Sequence, residues 1–405
     1  MNQITQCEVC GNADLVTVLN LGENPLCDDL LPIGSDKMCQ EYPIEIVFCN
    51  ECKTAHQKFQ PPKETIFPDT YHYRAHFTED VLKGMESLVV ACENLYGSLK
   101  GKTVLDIGCN DGSLLGIFRR HGAQVIGVEP TGAAKDAKAQ GIEVWQEFFT
   151  PETARKINAA YPKIDFITFT NVFAHIENLP ELVTAVNSLL DNDTVVVIEN
   201  HYLGSILEKN QFDTFYHEHP RSYSLTSFAV IAKQLHRHIQ KVEFPSRYGG
   251  NIRVFLTKQG TESSAVFQVL ESEKHFLNDF QHMNTCIARW KERKKEQILS
   301  AVRQYGKLSA KAFPGRAAIL LKLLELDEKL IVAVYEKSGS QKIGNYVPGT
   351  RIPIRDEVEF FASTELQKHP VLNLAWHIHA EIETYMRQHG YKGEIIDIVS
   401  MEDFE

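Results

Sequence analysis

Three clusters of side chains have the composition and sequence separation that metal binding or catalysis needs. Cys7 with Cys10, and Cys49 with Cys52, form two CxxC pairs. Each pair sits on a short knuckle that can aim two thiolates at one ion, and two knuckles supply the tetrahedral four-sulfur set that zinc prefers. Four thiolate ligands leave no position open for water, so the expected role is structural; buried or redox-active cysteines are the alternative reading. Cys27 and Cys39 lack partner spacing and read as ordinary small residues, while Cys92, Cys109 and Cys286 are isolated. The second group is VLDIGCNDG, from Val104 to Gly112. It reads as a strand that ends at Ile107 and turns through glycines into a helix. It is neither the GxxxxGK[ST] phosphate loop nor GxGxxG, since Asn110 holds the second glycine position. Acidic side chains here would repel a pyrophosphate, and Asp106, Asn110 and Asp111 suit a ligand with a positive centre and an amino group. Glu129, in GVEP at the next strand end, is placed to accept from both hydroxyls of a ribose. The third group is FDTFYHEHPRSYSL, from Phe212 to Leu225. Tyr216, His217, Glu218 and His219 crowd four protonatable groups into four positions. A histidine can take a proton near neutral pH, a tyrosine can donate to a developing oxyanion, and a carboxylate can orient an imidazole. A solvated polar loop or an adventitious metal site is the alternative.

These residues need a scaffold. KTVLDIG, AQVIGVEP, IDFITFTN and DTVVVIEN are short apolar runs separated by segments of helical length, a pattern that predicts a parallel sheet covered on both faces. NIRVFLTK, from Asn251, reads as a late strand closing the sheet. Residues 272–308 read as a long charged helix carrying Trp290 and Ile298. LIVAVYE, the stretch from Pro348 to Pro353, and VLNLAW suggest a second, smaller α/β unit. The expected organisation is a zinc-binding module with a substrate lid over residues 1–70, a donor-binding domain over 71–260 and a C-terminal α/β domain over 261–405.

The chain has 405 residues, 42 Lys and Arg against 53 Asp and Glu, and a net charge of −11. That acidity argues against a general nucleic-acid binder, which needs a basic field, but allows a local basic pocket for a phosphorylated ligand. Hydrophobic residues make up 43% and charged residues 23%, as in ordinary globular proteins. No basic start followed by an apolar stretch suggests a signal peptide, and no apolar run reaches the roughly 18 residues of a membrane span. Nine cysteines, an odd count in a long chain, argue against a secreted disulfide scaffold. A cytoplasmic monomer without nucleic-acid or membrane partners is the expectation.

The acidic first turn together with Glu129 resembles the class I methyltransferase fold, which binds S-adenosylmethionine. The resemblance implies that QEFF, with Phe148, lies by the adenine, and that NVFAHI, with Asn171 and His175, lies by the methionine part. It implies a donor site of Asp106, Gly108, Asn110, Asp111, Gly112, Glu129, Pro130, Phe148, Asn171 and His175.

More specifically, the chain resembles over its whole length the sugar C-methyltransferases of deoxysugar biosynthesis, which act on nucleotide-linked 4-keto sugars. The four cysteines, LDIGxNDG at Leu105–Gly112, NVxAHI at Asn171–Ile176, FDTxYHEHxxYYSL read here as FDTFYHEHPRSYSL, GGxxR at Gly249–Arg253 and YxPGTxIPI at Tyr346–Ile354 carry it. The fold class this implies is α/β: a Rossmann-like class I methyltransferase core with a small N-terminal zinc module and a C-terminal α/β domain. The implied reaction is removal of the C3 proton by His219, with Tyr216 and Glu218 as partners, followed by in-line methyl transfer from S-adenosylmethionine. Substrate contacts would come from Tyr71, Tyr73, His217, Asn251, Arg253, Arg316, Lys342 and Arg351. The usual YGA run is replaced by KAFPGRAAILL from Lys311, and VxDxNxxKxG by VYEKSGSQKIG with Glu336 and Ser338, which leaves the nucleotide base open. An O- or N-methyltransferase on a sugar or other small metabolite, and an inactive nucleotide-sugar-binding member, are the alternatives.

Overall fold

The computed structural model describes residues 1–67, 74–77, 79–246, 249–259 and 264–405. Tyr71 and Tyr73, expected at the substrate, lie outside the described residues. The chain forms two compact units: Met1–Val16, Val47–Ile206 and Glu218–Leu277 make the first, and Thr17–Ile46, Leu207–His217 and Asn278–Glu405 make the second.

The first unit is built on seven strands: β1 (Thr103–Ile107), β2 (Gln124–Val128), β3 (Glu143–Trp145), β4 (Phe166–Thr170), β5 (Val195–His201), β6 (His238–Glu243) and β7 (Asn251–Thr257). Their order across the sheet is β6-β7-β5-β4-β1-β2-β3. The first five run parallel, whereas β7 lies antiparallel to β5 and β6 antiparallel to β7. All four expected apolar runs are strands, and the late run from Asn251 is a strand too, but it is inserted between β5 and β6 rather than closing the sheet, because β6 pairs along its outer side. In β1 every residue is buried, as a strand covered on both faces must be. Edge strands β3 and β6 were not evident as apolar runs. Each has an open side, and their residues are mostly exposed or half-buried, including Glu143, Lys241 and Glu243.

Helices cover the sheet with one apolar stripe each. Ser113–Arg120 buries Leu114, Leu115, Ile117 and Phe118, which join Val104, Phe166, Val197 and Phe255 in one core. Leu225–Gln234 starts at a capping box, in which Ser224 and Ser227 satisfy each other's backbone N–H groups.

In the second unit, β8 (Leu308–Lys311), β9 (Ile331–Glu336), β10 (Ile354–Asp356), β11 (Val371–Asn373) and β12 (Ile395–Asp397) form a wholly parallel sheet ordered β10-β9-β8-β11-β12. This is a doubly wound sheet whose order reverses between β8 and β11. The α/β unit expected from LIVAVYE and VLNLAW is therefore present. The long charged helix spans Phe276–Tyr305 and buries Trp290 and Ile298 fully. Among the described residues no helix is long and apolar enough to cross a membrane.

Candidate active site and zinc site

The four predicted zinc ligands converge. Their sulfurs all lie within 4.8 Å of one another, with Cys7 to Cys52 at 3.4 Å and Cys10 to Cys49 at 3.5 Å. A tetrahedron with zinc–sulfur bonds of about 2.3 Å has edges of about 3.8 Å, so the set fits zinc. The knuckle is shaped by Gly11 N–H, which donates to the Cys7 carbonyl at 2.8 Å, and by Cys10 N–H, which donates to Cys7 Sγ at 3.5 Å. Hydrogen bonds between Cys49 and Cys52 pull the Cys49 thiol far down and push the Cys52 thiol far up. One thiolate shared among crowded thiols becomes four only with a cation to balance them.

The donor loop follows β1. Gly108 has a φ of +72°, and a Cβ there would meet Val172 Cγ2 at 2.3 Å. Glycine is thus required for the loop after β1 to approach the loop after β4. Gly112, at φ +80°, is confined in the same way by Ile142 and Ala137. Asn110 and Asn171 also take left-handed backbone, which asparagine tolerates better than most side chains. Glu129 immediately follows the second strand, its carboxylate fixed by two backbone donors, Asn110 N–H at 3.0 Å and Thr131 N–H at 2.8 Å. Its remaining lone pairs suit the two hydroxyls of a ribose. Asp106 lies beneath the loop. Burial pushes its carboxyl up to about 7, against the pull of the Thr168 hydroxyl that donates to it at 2.6 Å. Pro130 and Phe148 are half-buried, and the Lys63 ammonium lies 4.6 Å from the Phe148 ring centre.

Asn110 and Asp111 have internal partners. Asn110 Oδ1 accepts from Ala75 N–H at 3.0 Å. Asp111 accepts from the Ser113 hydroxyl at 2.6 Å and from His76 N–H at 2.9 Å, and it pairs with His76 Nδ1 at 2.7 Å. Burial would raise the Asp111 carboxyl, but the bonds from Ser113 and His76 outweigh it and hold the group below its usual value. These two residues therefore clamp residues 75 and 76 onto the donor loop.

The loop after β4 brings Asn171 and His175 to the same end of the sheet. The His175 ring centre lies 4.8 Å from that of His219, and His201, the last residue of β5, packs edge-on to His219 at 5.3 Å. Phe67 packs edge-on to His175, with ring centres 5.3 Å apart. His175 Nδ1 is 2.6 Å from the Glu218 carbonyl, which can only accept, so Nδ1 carries the hydrogen. Burial holds the His175 pKa down at about 4. His219 and Glu218 are themselves buried. His201 had not been singled out from sequence. The available signal was its place at the carboxyl end of a parallel strand beside the strand that carries NVFAHI.

Tyr216 and His217 fall in the second unit, on the other side of the division between His217 and Glu218. His217 Nε2 donates to the Tyr42 carbonyl at 3.0 Å, and burial lowers its pKa to about 4. Upstream, the Asp213 carboxylate pairs with Arg316 Nε at 3.2 Å and accepts from Trp376 Nε1 at 3.1 Å. Arg316 also donates to the Thr214 hydroxyl at 3.2 Å. Arg316 follows β8 and Trp376 follows β11, so the order reversal of the second sheet holds the start of the FDTFYHEH segment. Lys342 donates to the Phe313 carbonyl at 2.7 Å, and Arg351 to the carbonyls of Ser35 at 2.6 Å and Lys37 at 2.9 Å.

Asn251 and Arg253 sit inside the first sheet. Arg253 is fully buried and directly opposite Glu199 of β5 and Glu243 of β6. Its guanidinium donates to Glu199 at 2.6 Å and to Glu243 at 2.8 Å. Asn251 bridges Glu199 at 3.0 Å and Asn171 at 3.1 Å, which ties this network to the loop bearing His175.

A parallel five-stranded core extended by an antiparallel pair, with an acidic loop after β1 and an acid just after β2, defines a class I S-adenosylmethionine-dependent methyltransferase; a cysteine tetrad adds a zinc site. Three domain models match along the chain: a zinc binding domain over residues 7–67, a methyltransferase domain over 84–235 and a C-methyltransferase C-terminal domain over 246–398. With this set of domains the protein is an S-adenosylmethionine-dependent C-methyltransferase. It is 29% identical to the C-methyltransferase NovU of Streptomyces niveus over 360 residues, 87% of this chain and 85% of that one. It is 33% identical to the ubiquinone biosynthesis O-methyltransferase of Aeromonas salmonicida over 100 residues, 23% of this chain and 41% of that protein. Among solved structures it is similar to the magnesium protoporphyrin IX methyltransferase of Synechocystis PCC 6803, at 14% identity and a TM-score of 0.34 over 44% of this chain and 80% of that one. The plantazolicin methyltransferase BpumL gives 14% identity and a TM-score of 0.36 over 45% and 87%.

Proposed function

We propose that the protein methylates C3 of a nucleotide-diphosphate-linked 4-keto-deoxysugar, with His219 as the base. The observation that carries this reading is the grouping of His219 with His175 and His201, in the unit that also holds the donor loop. A ketone at C4 acidifies the C3 proton, and an imidazole is the side chain suited to take it near neutral pH. His175, kept neutral by burial, places no positive charge beside His219 that would oppose that proton transfer. Tyr216 donates to the oxygen of the developing enolate, and Glu218 orients the His219 ring. S-Adenosylmethionine, when bound, supplies an electrophilic methyl group on a sulfonium. Glu129 holds the donor's ribose, and Asp106, Gly108 and Gly112 shape the loop beside it. Holding carbon and methyl about 3–3.5 Å apart converts an encounter of two molecules into a reaction within one complex. Asn110 and Asp111 act by fixing residues 75 and 76 across the loop.

The test is His219→Gln, assayed with nucleotide-linked 4-keto sugars in deuterated water. We expect exchange at C3 and methyl transfer to fall together by a factor of 10² or more, the scale of general-base catalysis, while S-adenosylhomocysteine binding is retained. Normal exchange in the variant would remove His219 from this role. A product bearing an O–CH₃ or N–CH₃ signal in place of C–CH₃ would overturn the carbon acid itself.

A further inference from the structure

Arg221 is fully buried two residues beyond His219, and no step of the reaction above uses it. Its guanidinium reaches three places. Nη1 donates to Glu8 Oε2 at 2.6 Å, Nε donates to the Tyr223 hydroxyl at 2.9 Å, and Nη1 and Nη2 both donate to the Glu177 carbonyl at 3.3 Å. Glu8 lies inside the first CxxC, between Cys7 and Cys10. Glu177 lies two residues beyond His175. One side chain thus joins the knuckle that holds zinc, the loop that carries His175 and the strand that follows His219.

The surroundings fix this cation in place. Glu8 Oε2 also accepts from Gln60 Nε2 at 2.9 Å and faces His56 Nδ1 at 3.6 Å. The backbone of Arg221 and Ser222 pairs antiparallel with His56 and Ala55, and Gln57 N–H donates to the Pro220 carbonyl at 2.8 Å. A planar, delocalised fork can serve a carboxylate, a hydroxyl and a carbonyl together; a lysine ammonium is a single point charge and cannot span them. A buried cation deprived of its carboxylate is strongly unfavourable, so loss of Glu8 must move Arg221 or its neighbours.

From this geometry we infer that Arg221 is a positioning residue, which fixes the imidazoles of His175 and His219 against the zinc knuckle through Glu177 and its own backbone. The placement stands on geometry alone; its effect on turnover rests on the proposed role of His219.

The experiment uses the full chain loaded with zinc and labelled with ¹⁵N-histidine, as wild type, Glu8→Gln and Arg221→Lys. The imidazole signals of His175 and His219 are expected to shift or broaden in both variants, while those of His379, in the second unit, stay in place and zinc content is unchanged. Turnover is expected to fall about tenfold in Glu8→Gln with KM for the methyl donor unchanged, a split that a general loss of folded protein would not give. If Arg221→Lys does not fold, Glu8→Gln decides, because Glu8 lies at the rim of the cluster. Unmoved His175 and His219 signals in Glu8→Gln overturn the inference. Moved signals with a product that is not C-methylated leave it standing and overturn the proposed reaction instead.

Discussion

Two buried histidines, His175 in the first unit and His217 in the second, are held neutral for the same reason. His175 and His217 are both lowered to about 4, chiefly by burial, although each donates to a backbone carbonyl. The sign of the consequence is fixed by linkage. As pH falls below about 6.5 the unfolded chain takes up protons at these sites, while the folded chain does so only near 4, so unfolding gains over that window and no further below it. A difference of roughly 2.5 units in pKa corresponds to about 3 kcal/mol per site at the acid end. Asp106 acts in the opposite direction. Burial raises it to about 7, so the folded chain binds its proton first, and stability is recovered there as pH falls from 7 toward 4. The two effects overlap, and a variant must separate them. In His217→Gln the amide can still donate to the Tyr42 carbonyl but cannot titrate. Urea midpoints measured from pH 7 to pH 4 are expected to fall less steeply in this variant than in the wild type. Parallel curves would mean that His217 titrates normally when folded.

At the level of strands, the buried triad of Glu199, Arg253 and Glu243 joins β5, β7 and β6 at one register position. Glu199 and Arg253 are almost wholly buried, so removing one partner strands the other. Arg253→Met is expected to cost about 3–5 kcal/mol, read as a lower urea midpoint, and Glu199→Gln in the same chain is expected to recover a large part of it. An unchanged midpoint in the single variant would show that water reaches Glu199. This network also shows what the sequence could and could not convey. Strands β1, β2, β4 and β5 were legible because burial on both faces makes them continuous apolar runs. Edge strands β3 and β6, and the three- or four-residue strands β8, β10 and β12, carry too few apolar residues to stand out. The cysteine knuckles were legible because their ligands are near neighbours in sequence. GGNIR was legible as a motif, but the partners of Arg253 lie 54 and 10 residues away, and only strand register brings them opposite it. His201 was missed for the same reason, since what makes it notable is the ring of His219 beside it.

Across the whole chain, the zinc knuckle reaches well beyond its own four cysteines. Ser227 donates to the Cys52 carbonyl at 3.1 Å and shares a bond with Thr54 at 2.8 Å, and Gln234 donates to the Val9 carbonyl at 2.6 Å. With Arg221 and the strand pairing of Ser222, residues 220–234 depend on a module more than 160 positions earlier in the chain. Zinc binding by such a module is coupled to its folding, because the unfolded chain has no preformed site. Removing the metal, by a strong chelator or by Cys52→Ser, should therefore act on the segment that follows His219. Hydrogen exchange is expected to accelerate across residues 220–234 and to remain slow across β9, whose parallel neighbours β8 and β10 both lie in the second unit. Methyl transfer should fall in step with zinc content and return when zinc is restored to the chelated protein. If residues 220–234 keep their protection after the metal is gone, the hydrogen bonds to Cys52, Thr54 and Val9 hold without the ion, and zinc is not what orders this segment.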